Sequence, residues 1–448
     1  MDATGALAAH TIGLDAERLP GAVVDQARTV LADTVGVLLS ASGRNAVGTA
    51  VRASQPLAGP CTVVGHGSAS PEVAAFINGI GGHDIELDDS HSPSRTHPAA
   101  VVIPAALAGA EIGSDVTFGD MLAAIVAGYD AQSRVSKAIG RSTQYDRGFH
   151  PSAVCGAIGA AVAAGRMLRL GLDQMRSAIG LAASQSSGLL TYADDPYHMA
   201  KSFQTGVAAR NGVTAALFAR AGYHAAPDVL TGRNNMLRPF GGDATDPSRL
   251  TAELGVAYDI CETSLKRHAC CGLAHAAVDA MLLLLDAAQL EAGAIEAIEV
   301  QLPTAAVPRV DGNRLWSHNI QYVLALTAHE RHVDLAHFTP EWTSKPEITR
   351  LAATVTVRGS DDLQARFPEQ KGAIVTVTSR GETITRRVDA PRGSPLEPLS
   401  RDELDEKFQR LASPAIGADG AARLSARLAG TGLDELPGPI FAALRPGD

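Results

Sequence analysis

The sequence predicts a mainly α protein: a large all-helical domain over residues 1–262, a smaller α+β domain over 263–397 with an antiparallel sheet, and C-terminal helices over 398–448 that return to the helical domain. Three observations carry this. From about residue 20 to 260 apolar residues recur at three and four, the helical period, in runs such as AVVDQARTVLADTVGVLL, FGDMLAAIVAGYDAQSRVSKAIG and AVCGAIGAAVAAGRMLRLG. Past residue 290 the pattern alternates apolar and polar with β-branched enrichment, in AIEAIEVQLP, LAATVTVRGS and GAIVTVTSRGETITRRVDA. The length of 448 residues also exceeds what one hydrophobic core organises.

The individual elements follow from local chemistry. Hydrophobic residues make up 46% of the chain but aromatics only 4%, so Ala and Gly carry much of the packing and the helices must lie close together. The Gly content therefore reads as helix packing, and no GxGxxG follows a strand. SRGE, between the halves of the last alternating run, reads as a hairpin turn. Ser400 with Glu403 three residues on is a capping-box signature opening the C-terminal helices.

Charge and cysteine usage exclude several function classes. A net charge of −10 argues against a nucleic-acid or anionic-membrane partner, since both need a basic face. Any anionic substrate must then be held by local Lys and Arg. The N-terminal residues lack a basic region followed by an apolar core, and no apolar run approaches the roughly 18 residues of a membrane span, so a cytoplasmic location is expected. The cysteines are odd in number, at 61, 155, 261, 270 and 271, with no CxxC pair, which argues against a disulfide framework or a structural zinc site.

The densest chemistry lies in HDIELDDSHSPSRTHP, residues 83–98, where four carboxylates and three imidazoles accompany one arginine. A helix is expected to start at His97 and Pro98, with exposed N–H groups and a dipole that favour a carboxylate substrate. GFHPSAVCGAIGAA repeats the His–Pro entrance at His150 and Pro151, which suggests a shared pocket. Lys201 stands just ahead of another Ala/Gly helix in YHMAKSFQTGVAARNG. SLKRHACCGLAHAAVDA gives Lys266, Arg267, Cys270, Cys271 and His275, and Tyr322 opens an apolar helix.

In order and rough spacing these patches resemble the MmgE/PrpD family of 2-methylcitrate dehydratases, cis-aconitate decarboxylases and iminodisuccinate epimerases. The match runs along nearly the whole chain, through ELDDS…HPA, GFHPSAV, the K…G.AARNG block from Lys201 and K…CC…H from Lys266 to His275. The resemblance implies a helical domain joined to an α+β lid, a homodimer, and neither metal nor organic cofactor. It places the active site at Glu86, Ser90, His97, His150, Lys201, Lys266, Cys271 and Tyr322. Glu86 stands where an Asp is usual and Cys271 where the decarboxylases have His, which argues against cis-aconitate decarboxylation. The step from Ser90 to His97, with Arg95 inside it, looks more like the epimerase-type members.

Simpler explanations remain for each group. The acidic run offers metal-ligand chemistry, but HExxH and other fixed spacings are absent. Asp84 and Asp88 fit a solvated loop capping a helix, and Cys270, Cys271 and Tyr322 fit a packed core. His83, His91, His198, His268 and His275 carry little signal individually. The expected activity is a cofactor-independent lyase, a dehydratase of a small di- or tricarboxylic acid. His97, His150, Lys201, Lys266, Cys271 and Tyr322 would act on it, while Glu86, Ser90 and Arg95 bind it. His97 and His150 would move protons, since imidazole titrates near neutral pH, while Arg95, Lys201 and Lys266 hold carboxylates. The alternative is an epimerase, which returns the proton to the opposite face. A helical scaffold protein would not explain the aligned polar patches.

Overall fold

The computed structural model describes residues 1–195, 197 and 199–445, with only the backbone described at Arg141; His198 lies outside them. The chain divides into two compact units, the first formed by residues 1–84, 88–263 and 400–448 and the second by 85–87 and 264–399. Three residues inside the acidic block thus belong with the second unit.

The first unit is built on α1 (Gly21–Ser42), α2 (Pro71–Asp84), α3 (Ala99–Ile112), α4 (Phe118–Ile139), α5 (Pro151–Met167) and α6 (Met199–Arg220), with a short strand β1 (Asp89–His91) between α2 and α3. Buried residues run without interruption from Ala99 to Ala110, and from Pro151 to Gly165, because these helices have neighbours on every side. Such enclosure needs small side chains. A Cβ on Gly79 of α2 would stand 2.9 Å from Cα of Gly206 in α6, and one on Gly206 would stand 2.6 Å from the Phe76 carbonyl oxygen. Gly212 meets Ala160 of α5 in the same way. Backbone contact of this kind draws the C-terminal end of α2 against the first turns of α6.

In the second unit, α7 (His275–Ala287) and α8 (Ile320–Glu330) accompany strands β2 (Ile295–Pro303), β3 (Val355–Ser360), β4 (Ala373–Ser379) and β5 (Glu382–Val388). The sheet order is β3-β2-β4-β5. It is mixed rather than antiparallel: β2 pairs with β4 and β4 with β5 antiparallel, but β2 pairs with β3 parallel. The long connection carrying α8 supplies the crossover that a parallel pair requires. Between β4 and β5 the hairpin closes at Arg380 and Gly381, whose φ angles of 54° and 75° are the left-handed pair of a type I′ turn. Residues of β4 alternate buried and half-buried, and Val375 and Val377 join Val300, Met281, Val323 and Ile348 in one core.

Helix α9 (Arg401–Ile416) rejoins the first unit. Ser400 and Glu403 form the reciprocal capping box, with Glu403 N–H on Ser400 Oγ at 3.2 Å and Ser400 N–H on the Glu403 carboxylate at 2.8 Å. The Lys407 ammonium of α9 lies 2.6 Å from Asp33 of α1, both side chains 3% exposed. Arg28 of α1 donates to the carbonyls of Leu428 and Thr431, at 2.9 Å each. Among the described residues no helix is long and apolar enough to cross a membrane.

Removing one partner of a buried ion pair leaves an uncompensated charge. Lys407→Met is expected to lower stability by about 3 kcal/mol, and Asp33→Leu added to it should recover most of that loss. Denaturant unfolding of the single and double variants checks this; equal losses in both would show that the pair contributes through packing alone.

Candidate active site

The first unit gathers its polar side chains where α2 ends, α3 and α5 begin and α6 starts. His83 occupies the last turn of α2 and is fully buried. Its Nδ1 lies 2.6 Å from Oδ2 of Asp88, and Nδ1 of His97 lies 3.0 Å from the same oxygen. His97 Nδ1 also faces the Asp89 carbonyl at 2.5 Å. Nitrogens that face only acceptors must carry their protons, so both rings donate from Nδ1 and Asp88 is a shared acceptor. The His97 backbone N–H is held by Ser152 Oγ of α5 at 3.1 Å.

His150 caps α5, with Pro151 as its first residue. Its ring stacks on His83, centroids 5.9 Å apart and planes 13° from parallel, and lies 4.7 Å from the Tyr192 ring. His83 and His97 are 4.7 Å apart. Nδ1 of His150 is 2.9 Å from Oε1 of Gln204 on α6, and the Nε2 atoms of His83 and His150 are buried with no hydrogen-bond partner among the described residues. Lys201, one turn before Gln204, is itself buried.

Electrostatics set the protonation of this cluster. Burial, reinforced by the Lys201 charge, pushes His83 down to about 3. Burial likewise holds His150 well below the ordinary imidazole value, with His83 and Lys201 adding to the effect. The sequence-based expectation that His150 titrates near neutrality is therefore corrected: in this dry, cationic setting it is a neutral imidazole, a proton acceptor at physiological pH.

Two further expectations change. The helix after His97 begins at Ala99, with Pro98 at its cap, and the Ala99 N–H already donates to Asp89 at 3.1 Å. Asp89 also accepts from the Tyr129 hydroxyl at 2.8 Å, so the helix entrance expected for a substrate carboxylate holds an internal one. Asp84 and Asp88 are buried rather than solvated, Asp84 lying 3.3 Å from Arg44. Ser90 is half-buried on β1, while the Arg95 guanidinium lies over the Tyr145 ring at 5.0 Å. Lys201, not Arg95, is the cation whose charge acts on the imidazoles.

His83, Asp88 and His97 could be read as metal ligands, since their donor atoms lie within 4.8 Å of one another. Two donors bound to one ion at about 2.1 Å sit roughly 2.9 to 3.4 Å apart. The 2.6 Å between His83 and Asp88 is instead a hydrogen-bond distance, while the 3.0 Å between His97 and Asp88 fits either arrangement. The second such trio, His91, Asp259 and Glu262, has the Lys137 ammonium on Asp259 at 2.5 Å and Arg134 3.5 Å from its other oxygen, so fixed cations already neutralise it.

In the second unit the Lys266 ammonium and the Glu86 carboxylate form a buried pair at 2.9 Å, Glu86 adopting a φ of 54°. Cys271 is half-buried and its N–H donates to the Ser317 carbonyl at 2.9 Å, while burial pushes the adjacent Cys270 thiol well up. Tyr322 is a core residue: its hydroxyl donates to the His337 carbonyl and its ring packs 5.0 Å from Trp316. His268 pairs with Asp279 at 3.1 Å, and His275, pushed down to about 3 by burial, stands 5.3 Å away ring to ring. Sequence reasoning gave little weight to His83 and His268, and it passed over Asp279 and Gln204, although Gln204 follows Lys201 by one helical turn.

A histidine held neutral in the native state but free to protonate when unfolded makes stability pH-dependent. Between about pH 6.5 and 3 the unfolded chain binds protons at His83 and His275 that the native chain refuses. Stability should therefore rise with pH across that window and be lost as pH falls, by up to about 1.4 kcal/mol per pH unit per group. Calorimetry from pH 8 to 4 should show a falling Tm below pH 6.5, with a shallower slope in His83→Asn; a flat profile would contradict burial of neutral imidazoles.

Comparison with known proteins identifies the family. Residues 5–247 match the MmgE/PrpD N-terminal domain and residues 268–428 the MmgE/PrpD C-terminal domain. The chain is 31% identical over 383 residues to a cis-aconitate decarboxylase of Aspergillus terreus, spanning 79% of this chain and 77% of the relative. A cis-aconitate decarboxylase-like protein of Aspergillus oryzae is 30% identical over 403 residues, 82% of this chain and 81% of its own, and the cis-aconitate decarboxylase of Mus musculus is 25% identical over 424, 91% and 86%. With both domains matched in order over most of its length, the chain belongs to the MmgE/PrpD family.

Proposed function

We propose that this chain is a cofactor-independent lyase that dehydrates a small di- or tricarboxylic acid. One observation carries the choice of reaction: the Nε2 of His150 is buried, has no hydrogen-bond partner among the described residues, and is part of a neutral ring beside Lys201. That is the arrangement of a base, since a neutral imidazole accepts a proton and a neighbouring ammonium favours the anion that forms. His150 Nε2 takes the proton from the carbon next to a carboxylate. The C–H electron pair becomes the carbon–carbon double bond as the C–O bond breaks. His97, its ring braced by Asp88, donates the proton that lets the hydroxyl leave as water. Lys201 holds the carboxylate on which charge develops.

A second reading, decarboxylation, is favoured by the names of the relatives. There the proton moves the other way: carbon dioxide leaves, and an acid must protonate the carbon left behind. The two chemistries are separated by their products. Methylcitrate, citrate, aconitate, tartrate and iminodisuccinate, each followed by proton NMR in deuterium oxide, should yield new vinylic signals from a hydroxy acid without release of carbon dioxide. Carbon dioxide from an unsaturated acid would favour the second reading. One deuterium gained with inverted configuration and no alkene would assign an epimerase instead.

With the active substrate identified, His97→Gln is expected to fold normally and to lower turnover by about 10² to 10⁴, the usual contribution of positioned proton transfer. Near-native turnover in the folded variant removes His97 from the chemistry.

A further inference from the structure

A neutral imidazole is basic at only one nitrogen, and the partner of the other nitrogen decides which. For His150 that partner is Gln204. The Gln204 side chain bridges two groups: Oε1 is 2.9 Å from His150 Nδ1, and Nε2 is 2.9 Å from the carbonyl oxygen of Leu189. A backbone carbonyl only accepts, so the amide NH₂ must face Leu189 and the amide oxygen must face His150. That oxygen also only accepts. Nδ1 of His150 therefore carries the ring proton, and Nε2 bears the lone pair.

The bridge is anchored at both ends. Leu189 pairs with Phe149 in an isolated bridge, and the His150 N–H donates to the Gly188 carbonyl at 3.1 Å, so the acceptor of the amide moves with the histidine. Gln204 itself rides on α6, whose first turns are set against α2 by the Gly79–Gly206 contact.

We propose that Gln204 is a positioning residue that fixes His150 in the Nδ1–H tautomer, so that Nε2 is the nitrogen that takes the substrate proton. The inference rests on the lyase reading above. An amide suits this task better than a carboxylate. Asp or Glu at Nδ1 would favour the imidazolium and so work against a free lone pair on Nε2. Among the described residues, the groups facing His150 are His83 of α2, His97 ahead of α3, Lys201 and Gln204 of α6, and the Tyr192 ring. The carboxylate of this cluster, Asp88, is engaged by His83 and His97.

Nitrogen-15 NMR of the full chain labelled at histidine reads the tautomer directly, with the His150 signals assigned by their loss in His150→Gln. In the unmodified protein Nδ1 should be protonated and Nε2 not. Gln204→Leu is expected to mix the two tautomers and to lower kcat about tenfold or more with KM little changed. Gln204→Glu keeps an acceptor of nearly the same shape; it should retain Nδ1–H and displace the acid limb of the kcat profile to higher pH. A His150 protonated on Nε2 in the unmodified protein, or a nitrogen pattern unaltered by Gln204→Leu, overturns the proposal whatever kcat does. A correct tautomer in a protein that turns over no carboxylic acid sinks the lyase reading instead and leaves the role of Gln204 in the tautomer standing.

Discussion

A carboxylate enclosed by helices keeps its charge only if donors surround it, and the site in the first unit is arranged around that constraint at Asp88. One of its oxygens receives Nδ1 protons from His83 and His97. Each imidazole is thereby turned so that its other nitrogen points away from the carboxylate. The geometry costs the cluster its titration range: His83 stays neutral down to about pH 3, because burial and the Lys201 ammonium both oppose a second proton. A neighbouring carboxyl, Asp89, is handled differently: burial and the Asp88 charge push it well above the usual carboxylate range, although the Tyr129 hydroxyl and the Ala99 N–H donate to it.

Small residues make this possible. His83 comes from the end of α2 and Lys201 and Gln204 from the start of α6, and these helices touch backbone to backbone at Gly79 and Gly206. A Cβ on either glycine would meet the facing backbone at less than 3.0 Å, so the two helices would have to shift. The Ala and Gly content that looks like plain packing material in the composition is therefore what sets the spacing of the reactive groups. The helical interior supplies the dryness, and dryness is what turns ordinary histidines into neutral bases.

The chemistry available to such a site is proton transfer next to a carboxylate, with an ammonium close by for the negative charge. That repertoire suits the carboxylic-acid lyases among the relatives, and the direction of proton flow separates one member from another. Two differently supported imidazoles, His97 on a carboxylate and His150 on an amide, stand within this cluster, and the proposed reaction assigns the acid role to the first and the base role to the second.

Much of the fold was legible from periodicity alone. Helical spacing over the first 260 residues, strand alternation after 290, the SRGE turn and the Ser400–Glu403 cap are all local properties, decided by backbone preferences and the side chains next to them. So were the motif-borne positions His97, His150 and Lys201, which the first unit gathers within one cluster. The parallel pairing of β2 with β3 was not legible, because it depends on a crossover rather than on either strand. Nor were the roles of His83, Asp88 and Gln204. A buried imidazole and a solvated one are the same letter in a sequence, and only the packing of α2, α5 and α6 decides which nitrogen keeps its proton and which is left to react.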